Sequence, residues 1–137
     1  MSKSYRFMFL RTSYERLKKS APLGCIAISL TDNKNRVTYQ VSVCNPSDEF
    51  DRAQARQLAL GRLIESPRTV MLGIVNPTMH DITRAVMLSV ERDSGIPKRA
   101  RVAATAWLDS MISQNFLDLS DRIITTESRL YNPFDQE

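Results

Sequence analysis

A strict two-residue alternation on both sides of a short polar break limits the folds open to this chain more than any other feature. Bulky apolar residues alternate with smaller or polar ones over 23–30, and again over 37–43 after a polar break at 32–35. This pattern predicts two strands joined by a turn. The bulky members are Ile26, Ile28 and Leu30 before the break and Val37, Tyr39, Val41 and Val43 after it. We expect Ile28 and Val41 on the buried face of this β-hairpin.

A helix is predicted directly after the hairpin, over 49–65, with Asp48 as its N-cap. Its outer face carries arginines at 52, 56 and 62. Arg52 and Arg56 lie one turn apart, which allows both guanidiniums to straddle phosphate groups or acidic side chains. The residues predicted to face the sheet are Phe50, Ala53, Leu58, Leu60, Leu63 and Ile64.

The remaining elements complete an α+β fold with the order β-(α)-β-β-α-β-α-α. We predict strands over 4–10 and 69–74, the second of them buried, and helices over 12–19, 78–93 and 97–114. Thr78 and Asp81 have the spacing of a capping box. In the helix over 97–114, the predicted inner face is Val102, Ala106, Trp107 and Met111. We expect an antiparallel, hairpin-centred sheet with the helices packed on one face, in a single domain 1–137 with a less regular, acidic C-terminal tail from about 115.

Composition bears on the cellular setting. No apolar run is long enough to span a membrane, and the N-terminus lacks the apolar region of a signal peptide. We therefore expect a cytoplasmic protein with no membrane partner. Its two cysteines are too few for a disulfide scaffold. The hairpin brings Cys25 and Cys44 diagonally near each other, so a bridge between them stays open.

Charge is distributed unevenly along the chain, whose net charge is +4. Residues 1–36 hold eight Lys and Arg against two Asp and Glu, whereas residues 102–137 hold two against six. A basic front and an acidic back suggest an anionic partner or head-to-tail contacts between copies. Attraction between the two ends within one fold explains the same pattern, and self-association also stays open.

Few residues suit catalysis. The single histidine, His80, falls in the first turn of a predicted helix, where a surface or capping role is the simplest interpretation. Cys25, Cys44 and His80 do not make a zinc set, and the scattered glycines form no phosphate-binding loop. The sequence therefore predicts no catalytic residue, no metal, no cofactor and no enzymatic activity.

Cations and aromatic residues are interleaved near the N-terminus. The cations are Arg6, Arg11, Arg16, Lys18 and Lys19, and the aromatic residues are Tyr5, Phe7, Phe9 and Tyr14. Aromatic rings that stack bases and cations that hold phosphates are typical of single-strand binding surfaces. Because Tyr5, Phe7 and Phe9 share one strand face, the favoured interpretation is a core with a solvated basic rim.

A further basic cluster, Lys98, Arg99 and Arg101, falls in the first turn of the predicted helix 97–114. Positive charge at this end opposes the helix dipole. Because nothing in folding is expected to require these cations there, we interpret them as an anion-binding surface formed with exposed backbone N–H groups. A merely solvated cluster is the alternative.

The segments Ala21–Ala27, Val41–Arg52 and Ala55–Leu63, which include Cys44-Asn45-Pro46, resemble small uncharacterised proteins encoded by bacteriophages and other mobile elements. The resemblance covers residues 20–65, under half of the chain. It implies an accessory protein that acts in a bacterial host cell by binding host or phage macromolecules, including as an inhibitor of host defence or transcription.

These observations lead to a non-enzymatic accessory protein that binds nucleic acid through a basic surface. A protein-binding inhibitor of a host enzyme or defence complex is the alternative, with the arginine face of helix 49–65 or the acidic tail as its interface. A binder of small anionic nucleotides also fits the arginines. The candidate binding residues are Lys98, Arg99, Arg101, Arg52, Arg56, Arg62, Arg16, Lys18 and Lys19.

Overall fold

The computed structural model describes residues 4–15, 17–30 and 35–114 of the chain. Its elements, in chain order, are β1 (Ser4–Arg11), β2 (Pro22–Leu30), β3 (Arg36–Val43), α1 (Arg52–Glu65), β4 (Arg68–Met71), α2 (Met79–Arg92) and α3 (Lys98–Gln114). The predicted acidic tail beyond 114 lies outside the described residues.

All strand pairs are antiparallel, and the strands follow one another in the sheet in the order β1-β2-β3-β4. Ile28 lies opposite Tyr39, and Ile26 lies opposite Val41. Ile28 and Val41 are both buried, which confirms the predicted phase of the hairpin. The antiparallel sheet and the helices confirm the α+β class.

The larger hydrophobic cluster lies between the sheet and the helices α2 and α3. Its side chains are bulky on both sides, and Tyr39, Ile26 and Ile28 of the sheet meet Met87 and Trp107 of the helices. The Tyr39 hydroxyl, which is 2.5 Å from Ser89 Oγ, gives the one polar atom of that ring a partner on α2. Both α2 and α3 therefore cover the same face of the sheet.

The opposite face of the sheet is covered by α1, so the expectation that all helices share one face is wrong. The small residues Cys25 and Ala27 of β2 pack against Ala55, Ala59 and Leu63 of α1. Their side chains alternate with those of Ile26 and Ile28, so β2 is buried on both faces. In the sequence, these small residues fit the solvent-facing side of a half-buried strand. The pattern therefore predicts no helix on that face of the sheet.

Helix α1 begins later than predicted, with Asp51 rather than Asp48 as its N-cap. The Asp51 carboxylate accepts the N–H of Gln54 at 3.2 Å. Asp48 instead lies in a turn, where its N–H donates to the Asn45 carbonyl at 2.9 Å. The buried residues recur every four positions as Ala55, Ala59 and Leu63, whereas Ala53, Leu58 and Ile64 of the predicted stripe are exposed.

The described residues of 12–19 contain no helix, contrary to the prediction. The segment is the loop between β1 and β2, closed by paired bonds between Thr12 and Ala21. The Arg11 guanidinium donates to Ser20 Oγ at 2.8 Å, and the Tyr14 hydroxyl accepts the Arg11 N–H at 2.8 Å. Burial raises the pKa of this Tyr14 hydroxyl. Side-chain hydrogen bonds of this kind compete with the backbone hydrogen bonds of a helix, and in this segment they form in place of the helix.

Strand β4 is shorter and less buried than the predicted strand over 69–74. It ends at Met71, and the backbone beyond it takes positive φ at Gly73 (67°) and at Asn76 (52°). Such conformations leave the extended region and suit Gly and Asn. The chain therefore turns away from the sheet before it enters α2.

The capping of α2 confirms its predicted start. The Thr78 hydroxyl accepts the Asp81 N–H at 3.1 Å, and the Asp81 carboxylate accepts the Thr78 N–H at 2.9 Å. In α3, Trp107 is buried as predicted, but Val102 is 57% exposed and Ala103 is buried in its place. Met111 packs against the main core as well, so the predicted inner face of α3 is wrong at Val102 and correct at Trp107 and Met111.

Cys25 and Cys44 are free thiols, so the bridge that the sequence left open does not form. Within the described part of the chain, none of the helices is long and apolar enough to cross a membrane.

Candidate functional site

The aromatic residues of β1 lie on the face of the sheet that α1 covers. Phe9 pairs with Cys25 and Phe7 with Ala27, so Tyr5, Phe7 and Phe9 share one face as predicted. Phe9 packs against the α1 cluster, whereas Tyr5 and Phe7 are 37% and 36% exposed. A row of aromatic rings therefore starts under the helix and continues into solvent along the edge strand.

Two of the predicted arginines lie over the covered end of this row. The guanidinium carbon of Arg52 is 4.9 Å from the centre of the Phe9 ring, and that of Arg56 is 5.9 Å from it. Phe50 meets the same ring edge to face, with ring centres 5.9 Å apart. Cation–π contacts at such exposed positions are worth about 0.5–1 kcal/mol each, so they hold the guanidiniums beside the ring while other donors stay available.

The position of α1 explains why the outer half of β1 is uncovered. Ser42 Oγ donates to the Ala55 carbonyl at 3.0 Å, and Gln40 Nε2 donates to the Ser66 carbonyl at 2.8 Å. Both bonds tie α1 to β3. The helix consequently lies over β2 and β3 and leaves Tyr5 and Phe7 beside it.

We call Tyr5, Phe7, Phe9, Arg52 and Arg56 the aromatic–arginine surface. It combines flat apolar rings with guanidiniums that are always charged. Rings of this kind stack on other planar groups, and guanidiniums bind phosphate or carboxylate oxygens. The structure thus brings together two features that are separate in the sequence, the aromatic strand and the arginine helix.

The other predicted arginines on helices have bonds within the fold. An Arg62 Nη atom donates to the Val41 carbonyl at 3.0 Å. An Arg99 Nη atom donates to the Cys44 carbonyl at 2.5 Å. Arg101 Nε donates to the Ile96 carbonyl at 3.0 Å. The expectation that folding does not require the cations at the start of α3 is therefore wrong for Arg99 and Arg101. Lys98 is exposed beside them.

The cations of the loop between β1 and β2 do not join the aromatic–arginine surface in the described residues. Arg16 lies outside those residues. Lys18 forms an exposed ion pair with Glu15 at 2.9 Å, and Lys19 is exposed. An exposed pair of this kind contributes little to stability.

The groups most suited to catalysis or metal binding are dispersed. His80 is exposed at the start of α2, with its ring centre 6.1 Å from that of Trp107. Burial raises the pKa of the Cys25 thiol to about 11, so this thiol is protonated at neutral pH. Within the described ranges, no group of three or more His, Cys, Asp or Glu could hold a metal ion.

A groove between β4 and α2 has no counterpart in the sequence predictions. It has a volume of about 680 Å³ and is lined by residues 70–74 together with one side of α2. The signal in the sequence is the apolar run over 70–75, interrupted by Gly73. The pattern over 69–74 predicts a buried strand, yet Met71 and Ile74 are 67% and 42% exposed.

Comparison of the chain with protein-family models, with curated proteins and with solved structures gives no match.

Proposed function

We propose that the protein is a non-enzymatic nucleic-acid-binding protein that holds single-stranded DNA or RNA on the aromatic–arginine surface. The observation that carries this proposal is the placement of Arg52 and Arg56 over Phe9, beside the exposed rings of Tyr5 and Phe7. The resemblance to phage and mobile-element proteins supports a role as an accessory protein in the cytoplasm of a bacterial host.

The exposed rings favour an unpaired strand over a duplex. Bases in a duplex are stacked on one another, whereas unpaired bases stack on aromatic side chains for about 1–3 kcal/mol per base. Tyr5 and Phe7 are two residues apart on one strand face, which places their Cα atoms about 7 Å apart. This spacing is about twice the ~3.4 Å repeat of a stacked strand. A bound strand would therefore be extended.

The arginines supply the part of the binding that does not depend on sequence. Arg52 and Arg56 would neutralise phosphates beside the stacked bases and release counterions, so affinity should fall as salt rises. Asp51 precedes Arg52 as the N-cap of α1, and its carboxylate accepts the Gln54 N–H at 3.2 Å.

The proposal is tested by the fluorescence anisotropy of labelled oligonucleotides, single-stranded and duplex, of the same sequence at two salt concentrations. We expect the single strand to bind more tightly. The double variant Tyr5→Ala/Phe7→Ala should weaken its binding at least about tenfold, because one lost stacking contact is worth about 1–3 kcal/mol. Val102→Ala removes an exposed apolar side chain from α3 and serves as the control.

The charged half of the surface is tested by the salt dependence of the same binding. Arg56→Ala should make the slope of log affinity against log salt shallower by about 1. Arg92→Ala removes the same charge from α2, on the opposite side of the sheet, and should leave the slope unchanged. Equal affinity for single strand and duplex, or aromatic variants that bind like the wild type, would overturn the proposal.

The alternative function, a protein-binding inhibitor, is supported by apolar side chains on the outer side of α1. Leu58 and Ile64 are exposed there on the helix that also carries the arginines. An exposed apolar side chain on a helix that also carries arginines offers a protein partner both an apolar and a charged contact. If a Leu58→Asp/Ile64→Asp variant keeps full affinity for the single strand but loses an inhibitory effect on a host process, the inhibitor function belongs to this outer side.

A further inference from the structure

Two guanidiniums share one ring at the covered end of the aromatic row. Arg52 and Arg56 are one turn apart on α1, and their guanidinium carbons lie 4.9 Å and 5.9 Å from the centre of the Phe9 ring. Like charges at this helical spacing repel each other. Because both side chains are exposed and both contact the same ring, the fold keeps two positive charges together at the surface.

Within the described part of the chain, neither of these two guanidiniums has a carboxylate or carbonyl partner. The third arginine of α1, Arg62, differs from them, because it donates to the Val41 carbonyl. The N–H donors of Arg52 and Arg56 are therefore available to an anion. Two adjacent guanidiniums match a group that carries about two negative charges and several acceptor oxygens.

The position of this arginine pair along β1 indicates which part of a bound strand it meets. Tyr5, Phe7 and Phe9 alternate along one face, so successive rings are about 7 Å apart. The rings of Tyr5 and Phe7 are open to a base, whereas Phe9 carries the two guanidiniums and contacts Phe50 edge to face. The place of a third base is therefore taken by cations, and the group of the ligand that fits there is a phosphate.

The aromatic row also ends at this point. The next residue of β1 on the same face is Arg11, the last of the strand, and its guanidinium donates to Ser20 Oγ at 2.8 Å. A strand that continues past Phe9 finds no further ring on β1 to stack on. A strand that ends over Phe9 in a phosphate, by contrast, gains the contact with both arginines of the surface.

On the basis of the proposed single-strand binding, we infer that the aromatic–arginine surface binds the end of a strand and selects an end that carries a phosphate monoester. A monoester has about −1.5 to −2 charges at pH 7 and three acceptor oxygens, whereas a phosphodiester inside a strand has a single negative charge. Two guanidiniums that each donate parallel hydrogen bonds fit the monoester better. The terminal phosphate lies at Arg52 and Arg56, and the next two bases stack on Phe7 and Tyr5.

The test is competition against the labelled single strand of the anisotropy assay. The competitors are unlabelled strands of six nucleotides with one sequence, which end in a 5′-phosphate, in a 3′-phosphate or in hydroxyls alone. We expect one of the two phosphate-ended strands to bind at least about tenfold more tightly than the hydroxyl-ended strand, because it adds charge-assisted hydrogen bonds to both arginines. A fourth competitor carries the favoured terminal phosphate as a methyl ester. It keeps the phosphate with only one charge and should bind nearly like the hydroxyl-ended strand.

Substitutions then assign the preference for a phosphate end to the two arginines. Arg52→Ala and Arg56→Ala should each remove most of the difference between phosphate-ended and hydroxyl-ended strands, while Arg92→Ala on α2 should leave that difference unchanged. The variant Arg52→Lys/Arg56→Lys keeps both charges but loses the planar forks, and it should retain only part of the preference. Tyr5→Ala should weaken both kinds of strand by the same factor, because that ring stacks a base in either case.

Equal competition by phosphate-ended and hydroxyl-ended strands would overturn this inference and leave the proposed function standing. A methyl ester that competes as well as the free phosphate would do the same, because the charge at the end is then not selected. A preference that persists in Arg52→Ala/Arg56→Ala would place the terminal phosphate elsewhere on the molecule and would also overturn the inference. If no single strand binds in any form, the proposed function fails and this inference fails with it.

Discussion

The two faces of the central sheet are covered with side chains of very different size. Between the sheet and the helices α2 and α3, the bulky residues Tyr39, Ile28 and Met87 are fully or almost fully buried. Between the sheet and α1, the buried side chains are mainly Cys25, Ala27, Ala55 and Ala59. We call the first layer, which is built from bulky apolar side chains, the thick layer. The second, which is built mainly from small side chains, we call the thin layer.

Because of this difference, the face of the sheet that contributes most to stability is not the face that carries the aromatic–arginine surface. A fully buried Leu or Ile contributes more apolar area than an Ala, so most of the hydrophobic stabilisation arises on the α2/α3 face. The small residues of the other face let α1 lie close to β2 and β3, and the bonds from Ser42 and Gln40 tie it to β3. Tyr5 and Phe7 stay uncovered as a result, next to the arginines of α1. The aromatic–arginine surface thus lies on the same face of the sheet as the thin layer, beside it.

The largest expected effect on the free energy of unfolding comes from removing a bulky side chain from the thick layer. Ile28→Ala should lower the free energy of unfolding by about 2–5 kcal/mol, because it deletes buried carbons and leaves a cavity. The measurement is urea unfolding followed by circular dichroism. Val102→Ala, at a position that is 57% exposed, should change the free energy by about 0.5 kcal/mol or less. Equal effects of the two substitutions would show that the large cluster does not dominate stability.

The thin layer is tested by adding bulk instead of removing it. Ala59→Leu inserts carbons where a fully buried Ala meets Cys25 and Ala27, and it should cost about 1–3 kcal/mol through overpacking. Ala53→Leu makes the same change at an exposed position of α1 and should be close to neutral. A neutral Ala59→Leu would indicate that α1 moves away from the sheet freely, and the arginines over Phe9 should then shift as well.

The sequence predicted most of the elements because their signals are local. The two-residue alternation of the hairpin, the Thr78–Asp81 capping box and the sharing of one face by Tyr5, Phe7 and Phe9 depend on residues within a few positions of each other. Propensity, capping and periodicity act at this range. They are the reason that the strands β1 to β3 and the helix α2 agree with the predictions.

The placement of α1 could not be predicted because small residues carry no clear signal. Cys25 and Ala27 fit the outer half of a half-buried strand as well as a surface under a helix. The role of Arg99 likewise depends on the Cys44 carbonyl, which is distant in sequence. The aromatic–arginine surface was therefore predicted as two separate features, and only the tertiary contact between Phe9 and α1 joins them.

The smallest expected effect concerns the start of α2, on the thick side of the sheet. Thr78→Ala removes the hydroxyl that accepts the Asp81 N–H and should cost about 1 kcal/mol in the free energy of unfolding. Asp81 completes the box, and the hydrogen bond from the Thr78 N–H holds the pKa of its carboxyl below the ordinary value of 3.8. Folding therefore favours the charged carboxylate. Its contribution is fully present above pH 3.8 and is lost as the pH falls through the lower folded-state value.

The corresponding measurement compares the urea midpoints of the wild type and Asp81→Asn between pH 7 and pH 2. We expect the wild type to be more stable at pH 7 and the difference to shrink as the pH falls below 3.8, because the protonated carboxyl then resembles the uncharged amide. Asp109→Asn, at an exposed position of α3, should show a smaller difference at pH 7. If the difference between wild type and Asp81→Asn is the same at every pH, the cap depends on the shape of this side chain. The charge of the carboxylate then contributes nothing to the stability of the protein.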